Sequence, residues 1–161
     1  MKMFKQFYLF VTLLFFTSCG FSPMLKNIDL NDIKINKIIY TGPNELTFYL
    51  KSNFGLPVNK EDKNAYTLKI NLTENNSSIT KDAAGKTTEE QIKIIINFQI
   101  LEKNKKVGDG NVSDARTISI TNNVSTDSET KRIERENIIS NLIQKLRFSI
   151  RATISSSKND N

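Results

Sequence analysis

The sequence contains no histidine and no tryptophan, and Cys19 is its single cysteine. Without histidine the chain cannot form a Ser–His–Asp triad, a Cys–His dyad or a histidine-ligated zinc site, and one cysteine cannot form a disulfide within the chain. The nucleotide-binding patterns G-x-x-x-x-G-K-[S/T] and G-x-G-x-x-G are also absent. We therefore expect no enzymatic activity, no cofactor and no metal site. A hydrolase that works with a carboxylate pair needs neither residue type and stays open as an alternative.

The first 18 residues have the organisation of a secretory signal peptide. Lys2 and Lys5 form a short positive segment, and residues 7–16 form an apolar run that only Thr12 interrupts. This run is about half of the roughly 20 residues that span a bilayer, so it suits the apolar region of a signal peptide better than a membrane helix. Residues 1–18 are therefore predicted to be a signal peptide.

Phe16-Thr17-Ser18-Cys19 resembles a bacterial lipobox, in which a bulky apolar residue and two small ones precede the cysteine. An ordinary signal peptidase prefers a small residue three positions before the cut, where Phe16 stands. The resemblance implies that the chain is cut before Cys19, that the sulfur carries a lipid, and that residues 19–30 form a lipidated tether. The alternatives are an ordinary signal peptide with an incidental cysteine and an uncleaved helical anchor.

The net charge of the chain is mildly positive, at a formal +6. This balance favours an acidic partner without identifying one, and we expect no nucleic acid. Lysine, asparagine and isoleucine together dominate the composition, with 18, 19 and 20 residues. A surface lysine is therefore weak evidence of function in this chain.

Apolar and polar residues alternate along several segments, as they do in strands with one buried face. The segments lie at 33–40, 66–72, 92–100 and 112–121. The third segment has the strongest alternation. Ile95 adds an apolar residue on its opposite face, and apolar residues on both faces favour a central strand. Residues 104–110, which include two glycines, are predicted to be the turn of an antiparallel hairpin. The polar residues 75–88 are predicted to be either the end of a long hairpin or a mobile loop.

Two other segments have helical periodicity. A short helix is predicted at about 43–53, beginning at Pro43 and ending before Gly55. A long C-terminal helix is predicted at about 127–154, with Thr126 as its cap and Glu129 reaching back in a capping box. Its apolar stripe favours packing against the sheet, with the binding of a partner helix as the alternative. The stripe consists of Ile139, Leu142, Ile143, Leu146, Ile150 and Ile154.

These elements predict an α+β fold. It is a two-layer sandwich in which two helices pack on a four-stranded, mainly antiparallel sheet. The domain should occupy residues 31–155, and residues 156–161 should form a disordered tail.

The segment Cys19-Gly20-Phe21-Ser22-Pro23-Met24-Leu25 resembles the C-G-F-x-P-L-Y start of the LptE family of lipopolysaccharide-assembly lipoproteins. The order of the predicted elements is also similar to that family. Residues 66–70 resemble its second strand, and residues 110–120 resemble its last strand. The resemblance thus covers nearly the whole chain after residue 18.

The resemblance implies a function. LptE-like proteins are non-enzymatic, periplasm-facing lipoproteins of the outer membrane. They sit in the lumen of the LptD β-barrel and help to place lipopolysaccharide in the outer leaflet. Gly20 follows Cys19 where an aspartate often marks retention in the inner membrane, which favours the outer membrane. The implied partners are therefore an LptD-like β-barrel, lipopolysaccharide and a membrane.

Three basic residues are candidates for contacts with an acidic ligand such as lipopolysaccharide. Lys81, Lys86 and Arg116 are expected in or beside loops at the ends of the sheet. The alternative is that they are ordinary solvated side chains of a lysine-rich protein. For the whole chain, the main alternative function is a generic envelope-binding lipoprotein, such as an auxiliary subunit of a lipid ABC transporter.

Overall fold

The computed structural model describes residues 33–60, residue 62 and residues 65–159. The predicted signal peptide, the tether and Cys19 lie outside these residues. Six elements follow one another: β1 (Ile35–Thr41), α1 (Asn44–Phe54), β2 (Tyr66–Lys81), β3 (Thr87–Glu102), β4 (Lys105–Ser119) and α2 (Val124–Asn159).

The four strands form one sheet in the order β1-β2-β3-β4. β1 runs parallel to β2, and the other two pairings are antiparallel. β3 is therefore a central strand, as its two-sided apolar pattern predicted. The mixed, mainly antiparallel sheet with a short helix and a long C-terminal helix confirms the predicted fold class.

Both helices pack on one face of the sheet, and the core lies between the layers. α2 contacts β3 and β4, while α1 contacts α2 and β1. Every residue of the predicted α2 stripe is buried, which confirms the interpretation that the stripe packs in the core. The strands contribute their alternating apolar residues to the same core, namely Leu68, Ile70 and Leu72 of β2 and Ile92, Ile94, Ile96, Phe98 and Ile100 of β3.

Residues 75–88 form the end of a long hairpin, so the first of the two alternatives is confirmed. β2 and β3 are 16 residues long each and pair from Thr67 to Lys81. The Asp82 side chain holds the turn, because its Oδ1 accepts hydrogen bonds from the backbone N–H groups of Ala84 and Lys86, both at 2.9 Å. Gly85 has a φ of 80°, a conformation that glycine adopts without strain.

The predicted turn at 104–110 is wrong in its extent. The β3–β4 turn consists of Lys103 and Asn104, both with positive φ, and β4 begins at Lys105 rather than at 112. Two consecutive residues with positive φ match the right-handed twist of a two-residue hairpin. Gly110 lies inside the strand, where a Cβ atom would stand 2.8 Å from Cζ of Phe98. The glycine is there because the Phe98 ring fills the space of a side chain.

The ends of α1 are close to the prediction. Pro43 is the residue before the helix rather than its first residue, and Gly55 ends it in the left-handed conformation with a φ of 60°. Arg147 of α2 donates a hydrogen bond to the backbone oxygen of Phe54. A cation at this end also complements the partial negative charge of the helix C-terminus.

The predicted capping box of α2 is wrong. The helix begins three residues earlier, at Val124, and Oδ1 of Asn123 accepts hydrogen bonds from the N–H groups of Ser125 and Thr126 at 3.1 and 3.3 Å. Asp127 rather than Glu129 reaches back, accepting from the backbone and hydroxyl of Thr121. At the other end the helix continues to Asn159, so residues 156–159 of the expected tail are helical.

Replacing the observed cap should cost more than replacing the predicted one. We expect Asn123→Ala to lower the free energy of unfolding by about 1 kcal/mol, because two helix N–H groups lose their acceptor. Thr126→Ala should change it by no more than a few tenths of a kcal/mol, since that hydroxyl caps nothing. Urea denaturation of the full chain measures both variants, and an equal loss in the two would contradict the assignment of the cap.

Candidate functional site

The structure brings two of the three predicted ligand residues together and separates the third. Lys81 ends β2 and Lys86 stands in the turn that follows, so both lie at the tip of the β2–β3 hairpin. Arg116 lies on β4 opposite Ile92, whereas Lys81 pairs with Thr87. Five residues along β3 correspond to roughly 17 Å. The three side chains do not form one cluster, and their role in binding stays a prediction.

Arg116 instead lines a shallow crevice of about 610 Å³ between β4 and α2. Lys145 of α2 lies 3.6 Å from Asp114 in this crevice and donates to the backbone oxygen of Ser113 at 3.4 Å. The remaining lining residues are Ala115, Asn141 and Gln144. Asp114 is the crevice's one carboxylate, so this crevice does not supply the pair that the hydrolase alternative needs.

Two ion pairs hold the hairpin to α2, and the sequence analysis missed both. Arg135 donates to both carboxylate oxygens of Glu74 at 2.8–3.0 Å, and Lys131 lies 2.7 Å from Glu90. Glu74 continues the inward-facing series of β2 after Leu72, and Arg135 stands one turn before the apolar stripe of α2. The alternation of β2 continued by one position and the helical stripe of α2 continued by one turn would have indicated that Glu74 and Arg135 face each other.

The carboxyl group of Glu74 is more acidic than an ordinary glutamate. Burial by itself would raise its pKa, but the hydrogen bonds from Arg135 and Asn76 and the positive charges of Arg135 and Lys131 outweigh burial and lower it. The ionised form is therefore the one that the fold stabilises.

Acid should weaken the fold through this pair. The folded chain lowers the pKa of Glu74 below the ordinary glutamate value of about 4.5. The ionised carboxylate therefore contributes to the free energy of unfolding above that value, and the contribution is lost as the pH falls through the pKa of Glu74 in the folded chain. Between about pH 5 and pH 3, we expect the wild type to lose about 1 kcal/mol more unfolding free energy than Glu74→Gln, the size of a partly screened pair. Urea denaturation across this pH range measures the loss.

Glu129→Gln is the matched control for that prediction. Glu129 also pairs with an arginine, Arg132, but both side chains are about half exposed and belong to the same helix. Its replacement should leave the pH profile close to that of the wild type, because solvent screens an exposed pair. Parallel profiles for the wild type and Glu74→Gln would contradict the prediction.

The outer face of the sheet, opposite the helices, is mainly polar, with Ile39 and Ile95 among its residues, and is uncovered in the described structure. A depression of about 400 Å³ lies on this face across β1, β2 and β3. Two rows of paired residues line it, Ile39–Lys69–Gln99 and Thr41–Asn71–Asn97, together with Ile70. The sequence analysis did not single out these residues, because they are ordinary polar positions of the predicted strands.

The described residues contain no helix whose length and apolar character would suffice to cross a membrane. Within the same part of the chain, no three histidine, cysteine, aspartate or glutamate side chains are grouped so that they could hold a metal ion.

Comparison with known proteins relates this fold to bacterial lipoproteins. No protein-family model matches the sequence, and the sequence of no curated protein matches it either. Among solved structures, a minor lipoprotein from Acinetobacter baumannii matches with a TM-score of 0.56 and 22% identity, over 74% of this chain and 93% of that one.

Two other matches point the same way. Rare lipoprotein B from Shewanella oneidensis matches with a TM-score of 0.51 and 11% identity, over 78% of this chain and 98% of its own. A lipoprotein B from Nitrosomonas europaea matches with a TM-score of 0.51 and 10% identity, over 77% and 90% of the two chains. At these identities the likeness shows the fold alone. The chain shares that fold with these small bacterial lipoproteins.

Proposed function

We propose that this protein is a non-enzymatic, lipid-anchored lipoprotein of the outer membrane that faces the periplasm. It partners an LptD-like β-barrel and assists the insertion of lipopolysaccharide into the outer leaflet. The observation that carries the proposal is the fold shared with small bacterial lipoproteins. This fold agrees with the lipobox-like segment at Cys19 and with the resemblance of residues 19–25 to the start of LptE.

The surface of the domain is compatible with a position inside a barrel. The exposed face of the sheet carries lysine, asparagine, glutamine and threonine side chains, and the large apolar side chains exposed on the otherwise mainly polar outer side of α2 are Val124, Ile133 and Phe148. The lumen of a membrane barrel is polar as well. The polar surface of the domain can therefore face the polar inner wall of a barrel. The positive net charge suits the phosphates of lipopolysaccharide.

Co-purification tests the proposed partner. We expect the tagged full chain, extracted from membranes in a mild detergent, to recover an LptD-like barrel that mass spectrometry identifies. The control carries residues 1–30 fused to an unrelated domain, so that it shares the anchor and lacks the fold. The barrel should be absent from the control, because the recognition surfaces lie in the domain.

Two outcomes would contradict the proposal that the domain recognises a barrel. Recovery of the subunits of an ABC transporter in place of a barrel would favour the auxiliary-subunit alternative. Equal recovery of the barrel with the control would show that the anchor, and not the domain, brings the two proteins together.

A further inference from the structure

The outer-face depression is built from two rows that cross three strands. Ile39, Lys69 and Gln99 are directly paired neighbours, as are Thr41, Asn71 and Asn97. Side chains paired in this way point to the same side of a sheet. The depression therefore places one ammonium group and three side-chain amides within a single concave area of about 400 Å³.

Most of these polar groups are free to bind a ligand. Within the described residues, the side chains of Lys69, Asn97 and Gln99 make no hydrogen bond or ion pair, and Oδ1 of Asn71 accepts one hydrogen bond, from Thr41, at 2.9 Å. That bond leaves the Nδ2 donors of Asn71 available. A side-chain amide both donates and accepts, so it complements hydroxyl groups, which do the same. The amides therefore favour a ligand that is rich in hydroxyl groups.

The charges around the depression favour an anionic ligand. Lys69 lies within it, Lys37 stands on the same face, and none of its lining residues is a carboxylate. Asp109 of β4 is opposite Gln99, but it is paired with Lys106 at 2.8 Å. The net field at the depression is therefore positive.

The apolar side chain in the depression and the volume of the depression narrow the chemical class of the ligand further. Ile39 is half-buried and offers a small apolar surface beside the amides, which suits the C–H side of a sugar ring. A volume of about 400 Å³ lies in the range of small-ligand sites. One ammonium group matches one anionic group.

We propose that this depression is a binding site for a sugar phosphate. Lys69 contacts the phosphate, Asn71, Asn97 and Gln99 hydrogen-bond to the sugar hydroxyls, and Ile39 packs against the ring. The site is separate from Lys81, Lys86 and Arg116. The binding of a sugar phosphate does not depend on the barrel partner. An experiment can therefore contradict the site and leave the proposed function intact, or contradict the proposed function and leave the site intact.

Side-chain amide signals in nuclear magnetic resonance test the site directly. The full chain in detergent is titrated with glucose 1-phosphate, with glucose and with inorganic phosphate. We expect the side-chain signals of Asn71, Asn97 and Gln99 to shift with glucose 1-phosphate. Its dissociation constant should be about tenfold or more below those of the other two probes, because both halves of the ligand are then held at once.

Two matched variants distinguish binding at a defined site from general attraction to a positively charged face. Lys69→Gln should weaken the binding of glucose 1-phosphate about tenfold, because it removes the cation inside the depression. Lys93→Gln removes the same charge from the same face outside the lining residues and should have little effect. Equal weakening by both variants, equal affinity for inorganic phosphate alone, or the absence of any shift in the amide signals would each overturn the proposal.

A further arm separates a lipid headgroup from a free sugar phosphate. The full chain is reconstituted in phosphatidylcholine vesicles with or without a phosphorylated glycolipid, and the retention of glucose 1-phosphate is measured. Displacement by the glycolipid supports the site with a lipid-borne ligand, and unchanged retention supports it with a free one. Loss of retention in vesicles without glycolipid would overturn it.

Discussion

Phe98→Ala is expected to lower the free energy of unfolding by about 3–5 kcal/mol, which is a large part of the stability of a domain of this size. Phe98 is 1% exposed and lies in the central strand, between the sheet and α2. Removing the ring takes away its burial and leaves a cavity that the two flanking strands cannot close. Urea denaturation of the full chain measures the loss.

Phe48→Ala is the matched control, because it deletes the same ring at a site on α1 that is 73% exposed. Its effect should stay within about 0.5 kcal/mol. Gly110→Ala should itself cost about 1–3 kcal/mol, since its Cβ would press on the Phe98 ring, and most of that cost should vanish in the Phe98→Ala background. Additive effects of the two substitutions would show that the ring does not occupy the space beside Gly110.

Cys19→Ala is expected to abolish the lipid anchor. A lipobox cysteine is the site of both lipidation and cutting, so the variant should carry no lipid and should keep residues 1–18. Each buried CH₂ group of an acyl chain contributes about 0.8 kcal/mol, so two or three chains account for nearly all of the membrane affinity. Mass spectrometry of the N-terminus measures the change, together with fractionation of the outer membrane.

Ser18→Ala is the control for the anchor, because alanine is also small and should leave lipidation and cutting intact. A third chain, with an ordinary signal peptide in place of residues 1–18 and with Cys19→Ala, should fractionate away from membranes. A free Cys19 thiol on wild-type protein that is not bound to membranes would contradict the lipobox interpretation and weaken the family resemblance with it.

The elements with strong periodicity could be predicted from the sequence. The alternation along β2 and β3 and the stripe of α2 indicate which side chains face the core, because each pattern reflects only the geometry of its own element. Six of six stripe residues of α2 are buried. The left-handed Gly55 at the end of α1 is equally local and was predicted as well.

The ends of elements were harder to predict, because they depend on neighbours that are distant in the sequence. Thr126 and Glu129 have the spacing of a capping box, but the chain leaves β4 so that Thr121 bonds to Asp127, and Asn123 becomes the cap. Gly110 has the composition of a turn, but its reason is the ring of Phe98 on the next strand. A local pattern cannot distinguish a glycine that bends the chain from a glycine that makes room.

By itself, the sequence determined the α+β class, the order of the elements and the face of each that is buried, because all of these follow from short-range periodicity and local motifs. The lipobox at Cys19 follows from a local motif as well and stays a prediction. Only the tertiary structure decided which distant residues are neighbours. Strand register placed Lys69 beside Ile39 and Gln99, and it separated Arg116 from Lys81. The packing of α2 paired Arg135 with Glu74. Register and helix placement are set by the packing of the whole core, so the candidate sites could not be read from any one segment.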